Sequence, residues 1–194
     1  MAKSDIILAG VGGQGILSIA ATIGMAAVNS GLFLKQAEVH GMSQRGGDVQ
    51  SNLRISDKEI ASDLIPMGTA DIILSVEPME SLRYLPYLKE NGWLVTNSQA
   101  YVNIPNYPEM DDIFREIKKI PNNIIIDADK IAKEIGSPRS SNIVMLGAAS
   151  PFICVSYEKL EEGIQFIFEK KGEEIVKLNL EALKTGREIA EKKH

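Results

Sequence analysis

Short apolar runs closed by turn residues recur along the chain, with amphipathic segments between them. Ile6 to Ala9, Phe33 to Ala37, Val49 to Ile55, Ile72 to Val76, Trp93 to Thr96 and Ile124 to Ile126 predict strands. Several are continuous apolar runs, as expected of strands buried on both faces of a sheet. Alternation of such strands with helices predicts an α/β fold, doubly wound around a mostly parallel, Rossmann-like sheet.

The first helix is predicted from about Gln14 to Asn29, with Ile16, Ile19, Ala20, Ile23 and Ala27 on one face and Ser18, Thr22 and small residues on the other. A helix without charges on either face is expected to be covered on both. Asn29-Ser30-Gly31 stops it, and a later helix is predicted to start after Pro78 and end near Asn91-Gly92. Apolar spacing at Leu160, Ile164 and Ile167, then at Ile175, Leu178, Ala182 and Ile189, predicts a C-terminal helix pair within Ser156 to Lys193, broken at Lys171-Gly172. Asn97 to Pro108, limited by Pro105 and Pro108, is expected to be an irregular surface loop over the sheet edge.

A chain of 194 residues, 44% hydrophobic and 24% charged, suits one domain spanning residues 1–194. The net charge is −5, and the lysine pairs Lys118-Lys119, Lys170-Lys171 and Lys192-Lys193 are dispersed among acidic neighbours. That distribution argues against a nucleic-acid partner. No charged residue occurs from Ile6 to Leu34, but the glycines in its middle and the lack of a basic leader argue against a membrane span or signal peptide. A cytoplasmic protein is expected. Cys154 stands alone, so an iron-sulfur centre would have to belong to another chain, and with only His40 and His194 as histidines no bound metal is expected.

Gly10-Val11-Gly12-Gly13-Gln14-Gly15 follows the first strand and opens the first helix, the context of a phosphate-binding glycine loop. The alternative is a tight turn whose glycines serve packing alone. Glu38, near the end of the second strand, could hold a ribose hydroxyl if the chain were a stand-alone NAD-dependent dehydrogenase. No hydride-transfer constellation accompanies it, and His40 is as readily a structural hydrogen-bonder. A second polar glycine-rich stretch runs from His40 to Asp48. In it Arg45 could offer a planar fork to a phosphate, with Ser43 and Gln44 adding neutral hydrogen bonds and Gly46 and Gly47 permitting close approach. Arg45 could equally pair with a carboxylate across a subunit contact. Glu77 and Glu80 look like paired carboxylates, yet the first turn of a helix after Pro78 accounts for them. Cys154, within Phe152-Ile-Cys-Val155, is expected to be an inert thiol, and no catalytic residue is assigned.

The runs Gly10 to Gly15 and Gly41 to Gly47, in this order and separation, resemble the gamma-type subunit of the 2-oxoacid:ferredoxin oxidoreductases. Within that family the look is nearest to the small, beta subunit of the indolepyruvate enzymes. Asp71 to Arg83 and Asn142 to Ala148 are similar to later family segments, so the resemblance covers nearly the whole chain. It implies a larger partner subunit that holds thiamine diphosphate and iron-sulfur clusters and oxidatively decarboxylates an indolepyruvate or other arylpyruvate. The acyl group would pass to coenzyme A and the electrons to ferredoxin. This chain would carry no redox cofactor, contribute to coenzyme A binding at a cleft shared by the two glycine-rich loops, and associate with the large chain and with its own copy. Pyruvate, branched 2-oxoacids and 2-oxoglutarate stay open as substrates, as does a nucleotide-binding regulatory module.

Overall fold

The computed structural model describes residues 2–40 and 46–193, His40 by its backbone only. Six strands form one sheet: β1 (Lys3–Val11), β2 (Phe33–His40), β3 (Asp48–Ser56), β4 (Ala70–Ser75), β5 (Leu88–Asn97) and β6 (Asn123–Ile126). Their spatial order is β2-β3-β1-β4-β5-β6. β3 is antiparallel to both neighbours, β1 and β2, while β1, β4, β5 and β6 pair in parallel. Five of the six described strands therefore point one way, and the sheet is mixed rather than uniformly parallel. Every predicted strand is present.

Helices cover both faces, as a doubly wound sheet requires. One face carries α1 (Ile16–Asn29), α4 (Ala128–Glu134), α5 (Ser141–Ala149), α6 (Tyr157–Phe168) and α7 (Glu173–Lys193) over Ile6, Leu8, Leu53, Leu74 and Val95. The other carries α2 (Pro78–Arg83) and α3 (Met110–Ile117) over Ile7, Ile73 and Leu94. Over β3 that second face is covered by residues 57–69, an irregular stretch slightly longer than the predicted loop; the latter begins at Ser98 and ends where α3 starts at Met110. Arg54 reaches across to the Ser62 and Leu64 carbonyls, and Asn52 accepts from the Ile65 amide.

The predicted double cover of α1 has a specific cause. Its apolar residues meet the sheet, and its Thr22 side is fully buried against α6, where a Cβ on Gly163 would stand 2.8 Å from the Thr22 carbonyl oxygen. Leu17 and Val28 stay 56% and 58% exposed, so two faces of the uncharged helix are covered within the chain and a third is left open. The helix after Pro78 ends at Arg83, not near Asn91-Gly92. A 3-10 turn at Leu85–Tyr87 follows, because Pro86 cannot donate to a continuing helix, and β5 begins at Leu88. The C-terminal helices break at Gly172 as expected, but they pack mainly on other partners: α6 on α1 and α7 on α5.

Candidate functional site

β1, β4, β5 and β6 all deliver their carboxyl ends to one edge of the sheet, where open α/β sheets place their ligands. Val11 at the end of β1 pairs with Asp48 at the start of β3, so the β2–β3 connection enters at this same edge. The Gly12 amide donates to the Gly47 carbonyl at 2.9 Å, and Asn103 Nδ2 donates to the Gly46 carbonyl at 2.8 Å. Gly46 and Gly47 are therefore brought to the first glycine loop. Ser43, Gln44 and Arg45 lie outside the described residues.

Within the first loop the two readings of its residues divide. Gly10 is structural, since a Cβ there would stand 2.4 Å from Val76 Cγ2. Gly12 spends its amide on Gly47. Gln14 folds back so that its Oε1 accepts from the Val11 amide at 2.8 Å. Gly13, Gln14 and Gly15 line a cleft of about 910 Å³. Gly15 caps α1 at φ +82°, where a side chain would be strained and would collide with Asn142 Nδ2 at 2.5 Å.

That collision marks a part of the site the sequence reading missed. Asn142 Nδ2 donates to the Gly15 carbonyl at 3.0 Å, joining the start of α5 to the start of α1. Neither helix has a side-chain cap or an acidic residue in its first turn. The Ile143 amide is taken by Asn142 Oδ1 at 3.0 Å and the Ser18 amide by the Gly15 carbonyl at 3.1 Å, so what the two helix starts bring to one cleft is chiefly their positive dipole ends. Ser137, Arg139 and Ser141 line it from the α5 side, and Lys171, Ile175 and Asn179 close it from the α6–α7 junction. Ser140 does not cap α5 because its hydroxyl is shared with Ser137 at 2.7 Å. Asp129 also lines the cleft, but its Oδ2 is taken by Asn97 Nδ2 at 2.7 Å. Exposed Arg139 and Lys171, with two uncapped helix starts, make a cationic cradle suited to an anion such as a phosphate or pyrophosphate. A sequence signal for it was present: Gly136-Ser-Pro-Arg-Ser-Ser141 is a polar, arginine-bearing segment ahead of an apolar helix.

Beside the cleft lies a buried acidic group. Glu77 is wholly buried and caps α2, its Oε2 accepting from the Glu80 amide at 2.8 Å, so the helix-start reading of this pair holds. Its Oε1 accepts from the Tyr101 amide at 3.3 Å and from the Tyr107 hydroxyl. Burial pushes the Glu80 carboxyl above its usual range, against the pull of Arg83, whose Nε donates to it at 2.7 Å. Tyr107 is raised by burial and then by its bond to Glu77, so it stays a donor. Cys154 is half-buried, burial pushes its thiol up, and it lies away from the cleft lining, in keeping with an inert role.

Glu38 lies on β2, the edge strand, with β3 between it and β1. A dinucleotide site needs its acidic residue on the strand next to the glycine-loop strand, whereas here it stands two spacings away, about 10 Å. No helix among the described residues is long and apolar enough to cross a membrane.

Comparison with known proteins identifies the family and the fold. Residues 5–189 match the family model described as pyruvate ferredoxin/flavodoxin oxidoreductase. The chain is 38% identical over 193 residues to indolepyruvate oxidoreductase subunit IorB of Archaeoglobus fulgidus, covering 95% of this chain and 94% of that one. Among solved structures, the gamma subunit of a keto/oxoacid ferredoxin oxidoreductase from Geobacter sulfurreducens superposes with a TM-score of 0.70 at 26% identity, covering 97% of this chain and 99% of that one. A 2-oxoglutarate:ferredoxin oxidoreductase from Magnetococcus marinus with 2-oxoglutarate, coenzyme A and succinyl-CoA bound gives a TM-score of 0.77 at 27% identity, over 99% of this chain. This chain spans 32% of the length of that larger one. The chain belongs to the pyruvate ferredoxin/flavodoxin oxidoreductase family, in which the relatives of its own length are subunits of indolepyruvate and keto/oxoacid ferredoxin oxidoreductases.

Proposed function

We propose that residues 1–194 act as one gamma-type unit, the small subunit of a cytoplasmic indolepyruvate:ferredoxin oxidoreductase, and that its cleft takes the phosphate-bearing part of coenzyme A. The carrying observation is the convergence of two uncapped helix starts with Arg139 and Lys171 on one cleft. Its volume of about 910 Å³ falls within the ~300–1,000 Å³ of small-molecule sites. A solved relative with coenzyme A bound supports the same choice of ligand.

In this reading the larger partner chain holds thiamine diphosphate and the iron-sulfur clusters, decarboxylates the 2-oxoacid, and passes electrons to ferredoxin. This chain binds and orients the cosubstrate that receives the acyl group. Gly13 and Gly15, with the starts of α1 and α5, meet the phosphates, and Arg139 and Lys171 supply positive charge. The carboxyl edge of the sheet then faces the partner, and self-association uses a different surface.

The test is kinetic, on the enzyme assembled with its catalytic chain. Arg139→Ala and Lys171→Ala should each raise the KM for coenzyme A by about tenfold, the loss of one charge-assisted contact, with the 2-oxoacid KM unchanged. Unchanged coenzyme A dependence in both variants would exclude the cleft. For Arg45→Ala, a weaker coenzyme A interaction assigns the residue to the ligand, whereas weaker assembly with coenzyme A affinity intact assigns it to the subunit contact.

A further inference from the structure

Between β5 and α3 the chain crosses the carboxyl edge through residues 98–109 without regular structure, yet it is fastened along its length. The Ser98 amide donates to the Ile126 carbonyl, Gln99 Nε2 to Asp127, and Asn103 Nδ2 to Gly46. Between and beyond these points Glu77 takes both the Tyr101 amide and the Tyr107 hydroxyl on Oε1, while the Tyr107 hydroxyl also accepts from the Met79 backbone and its ring packs on the core of the second face. Tyr101 lines the cleft.

The choice of glutamate is informative. An α2 cap alone would call for Ser, Thr, Asp or Asn, each shorter and cheaper to bury. Glu77 is 0% exposed, and desolvating a carboxylate costs several kcal/mol unless donors replace water. The Glu80 amide satisfies one oxygen, and the loop satisfies the other. Its extra methylene is what carries Oε1 to the loop. Asn103 Oδ1 is buried with no hydrogen-bond partner among the described residues, so the segment also presents an acceptor still to be satisfied.

We infer that Glu77 is a positioning residue for the cosubstrate cleft: its carboxylate pins residues 98–109 as a strap that holds Tyr101 as one wall of the cleft, setting coenzyme A affinity without touching the ligand. The inference rests on the coenzyme A reading of the cleft.

Glu77→Asp separates the two roles of the residue. Aspartate is a good N-cap, so α2 stays capped, but it is too short to reach Tyr101 and Tyr107. Tyr107→Phe removes the hydroxyl and keeps the ring. In the assembled enzyme both variants should raise the KM for coenzyme A by about three- to tenfold, as expected for losing a hydrogen bond to a carboxylate, with kcat and the 2-oxoacid KM unchanged. Hydrogen exchange at the amides of residues 99–107 should quicken in both.

A merely structural Glu77 predicts parental coenzyme A kinetics for Glu77→Asp, and that result overturns the inference. A parallel shift of kcat and both KM values in the two variants overturns it as well. If Arg139→Ala raises the coenzyme A KM and the strap variants do not, the strap role fails while the cleft stands. If none of these variants moves it, the cleft reading itself has failed.

Discussion

Asp5 is a carboxylate inside the sheet, 1% exposed, and its partners decide whether that is tolerable. Arg54, opposite it on β3, donates Nε to Oδ1 at 2.7 Å and Nη2 to Oδ2 at 3.2 Å, and Lys3 Nζ lies 2.9 Å from Oδ2. Burial pushes the Asp5 carboxyl up, but Arg54 and Lys3 together outweigh it and hold it below the usual range. A folded-state pKa below the unfolded one contributes stability that is fully present above about 3.9 and is lost as pH falls through the folded value. Arg54→Met should therefore cost about 3 kcal/mol at neutral pH, the penalty for a buried charge left without its main partner. Urea unfolding across pH should show the gap between variant and parent narrowing as pH falls and Asp5 is protonated, since the neutral acid neither gains from Arg54 in the parent nor is penalised without it in the variant. A constant gap across that range would mean that Arg54 acts through its bonds to the Ser62 and Leu64 carbonyls instead.

At the scale of elements, the tightest contact is between α5 and α7. A Cβ on Gly147 would stand 2.0 Å from the Leu183 carbonyl oxygen, and one on Gly186 would stand 2.0 Å from the Val144 carbonyl oxygen. The two glycines face each other's backbones, so neither obstacle is a side chain able to swing away. Gly147→Ala or Gly186→Ala should each cost about 3 kcal/mol or more, read as a lower denaturant midpoint, because the helices must separate to admit a methyl group. This pairing also marks what was legible in the sequence. The strands could be read because β1, β4 and β6 are apolar runs with clear ends. The helix break at Gly172 could be read from its glycine. The partner of α7 could not, because local periodicity says which face is apolar and not what it meets. The insertion of β3 between β1 and β2 was hidden for the same reason, since the pairing is set by tertiary register. Half of the cleft was legible as the first glycine loop. The Gly136 to Asn142 half carries its own polar, arginine-bearing signal, but only the tertiary fold shows that it meets the first glycine loop, through the bond from Asn142 to Gly15.

Exposed apolar residues of the molecule fall into several groups, with Leu64, Met67 and Phe166 apart from those at the two ends of the strands. Leu17, Val39, Tyr101, Val102 and Ile104 are all at least 36% exposed, and all sit at the carboxyl edge, on the first turn of α1, the end of β2 and the strap. Val28 and Phe33, at the end of α1 and the start of β2, belong to the opposite edge. If the cleft serves coenzyme A as proposed, it has to open toward the catalytic partner, so the carboxyl-edge group is the surface that assembly should cover. Val102 is 70% exposed and Leu17 is 56% exposed, which makes Val102→Glu and Leu17→Glu tolerable in the free subunit. In the complex each places a charge in a desolvated contact, and each should weaken association with the catalytic chain by at least about tenfold. Sedimentation of the mixed subunits measures this directly, with Phe33→Glu as the amino-edge control expected to assemble like the parent. Loss of assembly in the control, with the carboxyl-edge variants unaffected, would place the partner on the amino edge, with the cleft facing away from that chain.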